Sequence, residues 1–254
     1  MSKIIGFCGE KTSGKSTIAN IFTLVALQRY NLGSELKIDD KTGKIILDGK
    51  SVDPNNLNTS IVKQYALADS LKEICVNVLG LSPAGVYGSD DDKNALTNYY
   101  WEGMPGVITN RRVYTSIQKL FDESNWREPS WPWLFHKRGQ MSNREVMQFV
   151  GTDIFRKINP QVWVHCTMNK IQRENPEYAL ITDARFPNEV MAFSKKGTVV
   201  GLTKRPPTKD PHPSEQVHLQ SCKYLIENEN AKNVKDLIEC IYQTFGKNRD
   251  LLSI

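Results

Sequence analysis

Long hydrophobic runs are missing from this sequence of 254 residues. A membrane-spanning helix needs about 20 consecutive apolar residues, and no run approaches that length. The N-terminus passes at once into a short apolar run, Ile4 to Cys8, which leaves no room for a signal peptide. We therefore expect a cytoplasmic protein with no membrane partner.

Paired cysteines are missing as well. The five cysteines are widely spaced and odd in number, and no C-x-x-C occurs. This pattern favours reduced, mostly buried thiols over a disulfide framework. His212, His218 and Cys222 match no zinc-binding spacing, so we expect no structural metal.

A strong excess of one charge is also lacking. The net charge is +5, which suits anionic small molecules as well as nucleic acid and decides little by itself. The hydrophobic content of 39% is enough for a folded core. The length predicts one large domain or a core with insertions, and there are no internal repeats.

The sequence does contain a phosphate-binding loop, G-x-x-x-x-G-K-[ST]. The loop follows a short apolar run that predicts a buried strand, and the segment after it predicts a helix with apolar Ile18, Ile21, Phe22 and Val25. Free N–H groups and the positive end of the helix dipole then point at one place. The predicted ATP-binding residues are Gly9, Glu10, Lys11, Thr12, Ser13, Gly14, Lys15, Ser16 and Thr17.

Each part of this loop has a chemical role. Gly9 and Gly14 permit close approaches that a Cβ would block. Lys15 can reach the β- and γ-phosphates, and the Ser16 hydroxyl can bind Mg²⁺.

Asp183 ends a second apolar run, which begins at Tyr178 and predicts a strand. A carboxylate at the carboxyl end of a strand, opposite a phosphate loop, can reach Mg²⁺ directly or through water. The sequence therefore predicts Ser16 and Asp183 as the magnesium ligands.

The remaining pattern alternates strands and helices. This alternation predicts an α/β fold with a mostly parallel sheet and helices on both faces. We predict a first helix ending near residues 31–33, strands over 64–68, 198–203 and 223–226, a helix after a cap at Asp69 or Ser70, and helices over 111–124, 162–173 and 234–245.

Several segments lie outside this core. Two β-prone runs around Asp40-Lys41-Thr42-Gly43 predict a hairpin, which we interpret as a surface elaboration. The run Asp90 to Asp92 is typical of a solvated turn. Residues 125–139 are rich in tryptophan and proline, and their rings either pin a loop to the body or stack on bases. Ser142 to Glu145 fits a capping box, and Gly151 to Asp153 lies near the end of the following helix or in a bend.

Together these blocks resemble the deoxynucleoside monophosphate kinases of large tailed bacteriophages, a branch of the P-loop nucleotide kinases. The narrower signals are Met-Gln-x-x-Gly-Thr-Asp at 147–153 and Thr-Asp-x-Arg at 182–185. The other matching blocks are residues 9–15, Leu67-Ala68 with Leu71-Lys72, residues 162–164, Arg205-Pro206, and Ile226-x-Asn228.

The resemblance implies transfer of the γ-phosphoryl group of ATP to the 5′-phosphate of a deoxynucleoside monophosphate, with Mg²⁺. It implies catalytic roles for Lys11, Lys15, Asp183, Arg185 and Arg205. It also implies a substrate-binding set of Leu71, Lys72, Lys93, Arg144, Gly151, Thr152, Asp153 and Trp163. The family pattern differs at Thr12, where a second basic residue is expected, and at Ser16.

The resemblance implies one P-loop kinase domain over residues 1–254. The monophosphate-binding and insert region would cover about 34–160, and a lid would cover about 204–220. It further implies a homodimer, a broad base range, a role in phage DNA synthesis in the cytoplasm of the infected bacterium, and no direct nucleic-acid binding.

Two other functions are also compatible with the sequence. One is a different P-loop kinase that acts on a phosphometabolite or nucleoside. The other is a DNA-associated ATPase, which the mild basicity and the tryptophans favour weakly.

Overall fold

The computed structural model describes residues 2–10, 12–58, 60–123, 137–184, 186–204 and 219–246. The chain divides into two compact units. Unit 1 comprises residues 1–69 and 161–254, and unit 2 comprises residues 70–160.

Ten strands form within the described residues. They are β1 (Lys3–Cys8), β2 (Lys37–Ile38), β3 (Ile45–Leu47), β4 (Lys50–Ser51), β5 (Val62–Tyr65), β6 (Leu96–Tyr100), β7 (Gln140–Ser142), β8 (Tyr178–Ala184), β9 (Thr198–Leu202) and β10 (Tyr224–Ile226).

Ten α-helices accompany the strands within the same residues. They are α1 (Lys15–Gln28), α2 (Ala68–Asn77), α3 (Pro83–Tyr87), α4 (Asp90–Asn94), α5 (Arg111–Glu123), α6 (Asn143–Gln148), α7 (Arg156–Ile158), α8 (Val162–Glu174), α9 (Pro187–Ser194) and α10 (Val234–Phe245). Residues Phe149–Phe155, between α6 and α7, form a π-helix.

The core of unit 1 is a five-stranded parallel sheet in the order β10-β9-β1-β8-β5. All five residues of β9 and the last five of β1 are buried, as expected for parallel strands covered on both faces. Helices flank the sheet: α1 contacts β5 and β8, and α9 contacts β1 and β9. The predicted α/β fold with a mostly parallel sheet is confirmed.

Helix α1 is buried along most of its length. Phe22 packs edge-on against Phe7 of β1, with the ring centroids 5.2 Å apart. The helix ends at Gln28, earlier than the predicted end near residues 31–33. The reason is a change of hydrogen bonding, because the amides of Tyr30 and Leu32 both donate to the carbonyl of Leu27.

The hairpin predicted around residues 40–43 forms, and a third strand extends it. Strand β2 pairs antiparallel with β3, and β3 pairs antiparallel with β4. Ile45 is fully buried in the core that contains α1 and α10. The insert is therefore packed onto unit 1 through an apolar side chain.

The second strand and its helix are shifted from the prediction. Strand β5 ends at Tyr65, and α2 begins at Ala68, before the predicted caps. Asp69 instead lies in the first turn, where its carboxylate accepts a hydrogen bond from the amide of Ala66 at 3.0 Å.

Unit 2 has its own apolar core, in which Trp101 packs edge-on against Phe149. The predicted capping box is confirmed, since Ser142 and Glu145 exchange both hydrogen bonds at the start of α6. The acidic run is not a solvated turn. Asp90, Asp91 and Asp92 form the first turn of α4, which Ser89 caps, because carboxylates there oppose the positive end of the helix dipole.

All five cysteines are free thiols, as the sequence predicts. In the described part of the chain, the helices are too short or too polar to cross a membrane.

Candidate functional site

The phosphate loop lies at the carboxyl end of β1, the central strand of the parallel sheet. It connects β1 to α1, so the predicted strand, loop and helix order is confirmed. Ligands of open parallel sheets bind beyond the carboxyl ends of the strands. The sheet therefore holds this loop at the edge where a ligand is expected.

The first turn of α1 provides open backbone donors. Its N-cap is Gly14, with φ of 100°, and within the described structure no side chain caps the helix. The first turn also contains no acidic residue. The N–H groups that begin a helix have no partner inside it, so this end can bind an anion.

Among the described residues of the loop, two adopt left-handed backbone angles. Gly14 is permitted this conformation, but Thr12, with φ of 62°, has a side chain that disfavours it. Such a conformation costs about 1–3 kcal/mol and persists where the surroundings enforce it. The strained residue is part of the predicted phosphate site.

Gly9 leaves no space for a Cβ. A Cβ there would lie 2.5 Å from Ser13 Oγ and 3.3 Å from the carbonyl oxygen of Leu202. Ser13 Oγ is itself buried, and it has no hydrogen-bond partner among the described residues. A buried hydroxyl without a partner costs free energy unless a ligand satisfies it. The loop thus has the close packing and the unused donor that a phosphate group fits.

Lys15 lies along the loop rather than in solvent, with 7% of its surface exposed. Its Nζ donates to the carbonyl of Gly9 at 2.7 Å and also to the carbonyl of Glu10. An ammonium group carries three donors, and these contacts fix its position over the loop. This is a suitable position for a cation that neutralises phosphate charge.

Asn228 ties the loop to β9 and β10, and it is missing from the predicted site residues. Its Nδ2 donates to the carbonyl of Ser13 at 2.8 Å, and its Oδ1 accepts from the amide of Lys204 at 2.9 Å. The side chain is 1% exposed. The block Ile226-x-Asn228 contained the signal, but an isolated asparagine after a strand has many ordinary roles.

Asp183 lies on β8, next to β1, where the register between the two strands shifts. Gly6 pairs with Ile181 but Cys8 pairs with Ala184, so β8 bulges at Thr182 and Asp183. The carboxylate accepts hydrogen bonds from the amides of Leu67 at 2.6 Å and Ala68 at 3.2 Å. Asp183 therefore organises the start of α2. A carboxylate can accept several bonds at once, so this role is compatible with contact to a metal or a metal-bound water.

The predicted magnesium ligands supply oxygen donors, the type that Mg²⁺ prefers. Ser16 is exposed at the start of α1, and Asp183 is half-buried. In the described ranges there is no group of three or more histidine, cysteine, aspartate or glutamate side chains arranged to hold a metal. The donor set fits an ion bound partly by substrate phosphates, as Mg²⁺ commonly is.

Cys8 immediately precedes the loop but is not a reactive thiol. It is fully buried, and its hydrogen bond with Cys222 and its burial raise the pKa of the Cys8 thiol above the usual value. A thiol is a nucleophile only as the thiolate, so the raised pKa of Cys8 disfavours a nucleophilic role.

Arg144, in unit 2, lies at the start of α6. Its Nη2 contacts Asp90 Oδ1 at 2.7 Å, and its Nε donates to Asn94 Oδ1 at 3.0 Å. These contacts join it to α4, the helix that also carries Lys93. The guanidinium has five N–H donors, so these two bonds orient it and do not occupy all of its donors.

The predicted Gly151, Thr152 and Asp153 all fall in the π-helix, within a longer helical run from α6 to α7. Local π-helices occur frequently at functional sites. A Cβ on Gly151 would lie 2.6 Å from Leu71 Cδ2, so these two predicted residues pack against each other. Lys72 Nζ lies 5.3 Å from the centre of the Tyr87 ring, within cation–π range.

Trp163 belongs to unit 1 and lies at the start of α8, with 5% of its surface exposed. Lys11, Arg185 and Arg205 lie outside the described residues, as do residues 124–136 of the tryptophan-rich segment and most of the predicted lid.

Comparison with known proteins gives two matches. A family model described as "Deoxynucleotide monophosphate kinase" matches residues 130–241. The "Deoxynucleoside-5'-monophosphate kinase" of Escherichia phage T5 is 24% identical over 208 residues, covering 74% of this chain and 70% of that protein. The resemblance inferred from the sequence blocks is confirmed.

Proposed function

We propose that this chain, which is similar to the deoxynucleotide monophosphate kinases, transfers the γ-phosphoryl group of ATP to a deoxynucleoside monophosphate. The products are ADP and the deoxynucleoside diphosphate. The observation that carries the proposal is the open, glycine-packed phosphate loop at the carboxyl end of β1, in a chain that is similar to this family.

The reaction needs little covalent chemistry from the protein. The nucleophile is an oxygen of the acceptor's 5′-phosphate, already an anion, so no strong general base is required. Catalysis depends on alignment of the two phosphates and on neutralisation of the charge between them. The amides at the start of α1 bind the donor's phosphates, and Lys15 stabilises the charge on the transferred group.

Two side chains hold the loop in its working shape. The Ser13 hydroxyl gains its missing partner when a phosphate oxygen lies in the loop. Asn228 fixes the carbonyl of Ser13 and thereby the direction of the neighbouring amides. Asn228 is a positioning residue in this mechanism.

A magnesium ion in this site would be held by Ser16 and Asp183, and when bound it would neutralise charge on the donor's phosphates. Asp183 also bonds the backbone at the start of α2. A single carboxylate thus serves the fold and the ion.

The acceptor residues follow from the family resemblance. Arg144, Lys72 and Lys93 supply cationic groups for the monophosphate, while Leu71, Trp163 and the Gly151–Asp153 segment contact its sugar or base. Lys11, Arg185 and Arg205 neutralise the transferred phosphoryl group. A broad base range, a role in phage DNA synthesis in the host cytoplasm, and a homodimer belong to the same proposal.

The test is ADP formation from ATP and Mg²⁺ with dAMP, dCMP, dGMP or dTMP, with their ribose counterparts, and without an acceptor. We expect turnover that depends on a deoxy acceptor. Lys15→Ala should lower turnover about 10²- to 10³-fold, because a preorganised charge-stabilising group is lost.

The outcomes separate the alternatives. Equal activity with the ribose set, or activity on no nucleotide, favours another small-molecule kinase. ADP formation without an acceptor, or only with DNA present, would overturn the proposal in favour of a DNA-associated ATPase. Turnover of a single base would overturn the broad range alone.

A further inference from the structure

A cavity of about 220 Å³ lies in unit 1 beside the phosphate loop. Three segments form most of its lining, and Lys204, Asn228 and Leu237 complete it. The loop and α1 contribute residues 12–14 and Thr17, the turn between β2 and β3 contributes residues 40–43, and the start of α10 with the preceding segment contributes residues 231–234. The β2–β3 turn, residues 39–44, thus borders the loop although it is remote from it in sequence.

One end of the β2–β3 turn is fixed against α1. The Gly43 carbonyl accepts a hydrogen bond from Asn20 Nδ2 at 2.8 Å, and both residues are buried. A Cβ on Gly43 would overlap Thr17, which lies in the first turn of α1. Only a glycine, with φ of 67°, allows the turn to approach the loop's helix this closely.

The other end of the β2–β3 turn is fixed against α10. The Asp40 carboxylate accepts a hydrogen bond from the amide of Lys235 at 3.3 Å, and its carbonyl accepts from Val234 at 3.4 Å. Within the turn, Asp39 Oδ1 accepts from the amide and the hydroxyl of Thr42, at 2.7 and 2.6 Å. Hydrogen bonds therefore fix the conformation of the turn and hold it against α10.

The lining of the cavity is mostly polar and carries three lysines, Lys41, Lys204 and Lys232. Cations at this position favour a ligand whose phosphates occupy the neighbouring loop. The volume is below the roughly 300–1,000 Å³ typical of sites that enclose a whole drug-sized ligand. It suits one part of a nucleotide, with the remainder bound elsewhere.

Thr17 connects the cavity to the phosphate site. It lies in the first turn of α1, whose amides bind phosphate in the proposed function, and it also lines the cavity. A nucleoside whose phosphates are bound in the loop can therefore reach this cavity. The turn, the loop and α10 together supply walls on three sides.

We propose that the β2–β3 turn forms one wall of the site for the nucleoside half of the triphosphate donor, and that it influences which donor base is accepted. This inference rests on the proposed function, because it assumes that the loop binds the donor's phosphates. It gives a chemical role to an insert whose sequence predicts only a surface elaboration.

The test separates nucleoside binding from phosphate binding. Thr42→Trp fills the cavity from an exposed position without changing charge. Ser51→Trp places the same side chain on β4 of the same insert, outside the cavity. Calorimetry with Mg²⁺ would measure the affinity of each variant for ATP and for inorganic triphosphate, which lacks a nucleoside.

We expect Thr42→Trp to weaken ATP binding about tenfold or more, and to change triphosphate binding by less than about twofold. Ser51→Trp should change neither affinity. Unchanged ATP binding by Thr42→Trp would overturn the inference. Equal weakening of both ligands would also overturn it, because the substitution would then act on the loop.

A second pair covers the case in which Thr42→Trp does not fold, as judged by its thermal unfolding. Lys41→Trp fills the cavity from the neighbouring position, and Lys41→Gln removes the same charge without filling it. Relative to Lys41→Gln, Lys41→Trp should weaken ATP binding but not triphosphate binding, and the absence of this contrast would overturn the inference.

Failure of this inference and failure of the proposed function are distinguishable. If the wild type phosphorylates deoxynucleotides but Thr42→Trp binds ATP normally, only the inference fails. If the ATP contrast holds but no deoxynucleotide accepts a phosphoryl group, the donor site stands and the proposed acceptor is wrong.

Discussion

The phosphate loop of unit 1 and the predicted acceptor residues of unit 2 use their polar groups differently. Around the loop, the predicted binding groups are backbone amides at the start of α1, and the Ser13 hydroxyl lacks a partner within the described structure. In unit 2 the predicted binding groups include the side chain of Arg144, which is already bonded to Asp90 and Asn94. The loop is preorganised by its backbone, whereas the acceptor side chains are oriented by their neighbours.

This difference predicts how each region responds to substitution. A backbone site fails when the chain is displaced, whatever the chemistry of the new side chain. A side-chain site fails when a charge or its orienting partner is removed. Matched pairs of variants can separate these modes of failure.

The largest effect is expected for Gly9→Ala. Its Cβ would collide with Ser13 Oγ and press on the backbone of Leu202, so the loop must shift. A displacement of about 1 Å can cost roughly 10²-fold in rate, and we expect a loss of that size in kcat/KM.

The matched control is Gly103→Ala in unit 2, where a Cβ would meet nothing within 4 Å. It should leave both the activity and the thermal unfolding temperature close to wild type. A Gly9→Ala enzyme with normal turnover would show that the loop's shape is not set by this close contact.

The next effect is expected for Asp183→Asn, which tests whether one carboxylate serves both the fold and the metal. The amide can accept only one of the hydrogen bonds from Leu67 and Ala68, and the cost should be about 1–3 kcal/mol of unfolding free energy. If Asp183 also holds Mg²⁺, the Mg²⁺ concentration that gives half-maximal activity should rise about tenfold or more.

Asp69→Asn is the matched control for this prediction, since Asp69 also accepts a backbone hydrogen bond near the start of α2. Its amide oxygen can still accept that single bond, so this variant should cost less stability than Asp183→Asn and should not change the Mg²⁺ requirement. The same Mg²⁺ dependence in both variants would leave Asp183 with the structural role alone.

The smallest effect on stability is expected for Arg144 and its partner Asp90. If Arg144 binds the acceptor's phosphate as proposed, Arg144→Gln removes a charge-assisted bond worth about 1.5–3 kcal/mol, so the KM for the monophosphate should rise at least about tenfold while that for ATP stays constant. Asp90→Asn removes the partner but keeps the guanidinium. Because the pair is partly exposed, it should cost only about 0.2–1 kcal/mol of stability.

If Asp90→Asn raises the KM for the monophosphate as much as Arg144→Gln does, then α4 must hold the guanidinium in place for the substrate to bind. No rise in either variant would remove Arg144 from the acceptor site.

Some of this molecule could be predicted from the sequence because the determinants are local. The phosphate loop, the capping box at Ser142 and the closing helix Val234–Phe245 each depend on residues within a few positions of one another. The apolar runs of β1, β8 and β9 likewise identify buried parallel strands, because both of their faces must be covered.

Other features depended on contacts between distant residues, which a single sequence does not specify. The end of α1 and the start of α2 were misplaced because their boundaries depend on which carbonyl or carboxylate accepts each amide. The acidic run starts a helix, where Ser89 and Arg144 bond two of its three carboxylates, those of Asp92 and Asp90.

The sequence by itself determined the phosphate loop, the parallel α/β class and the family resemblance, because each is written in short contiguous patterns. Only the tertiary structure decided that Asn228 clamps the loop and that the turn at Asp40–Gly43 borders it. These contacts join residues far apart in the chain, and they form only where packing of the sheet and helices brings their backbones together.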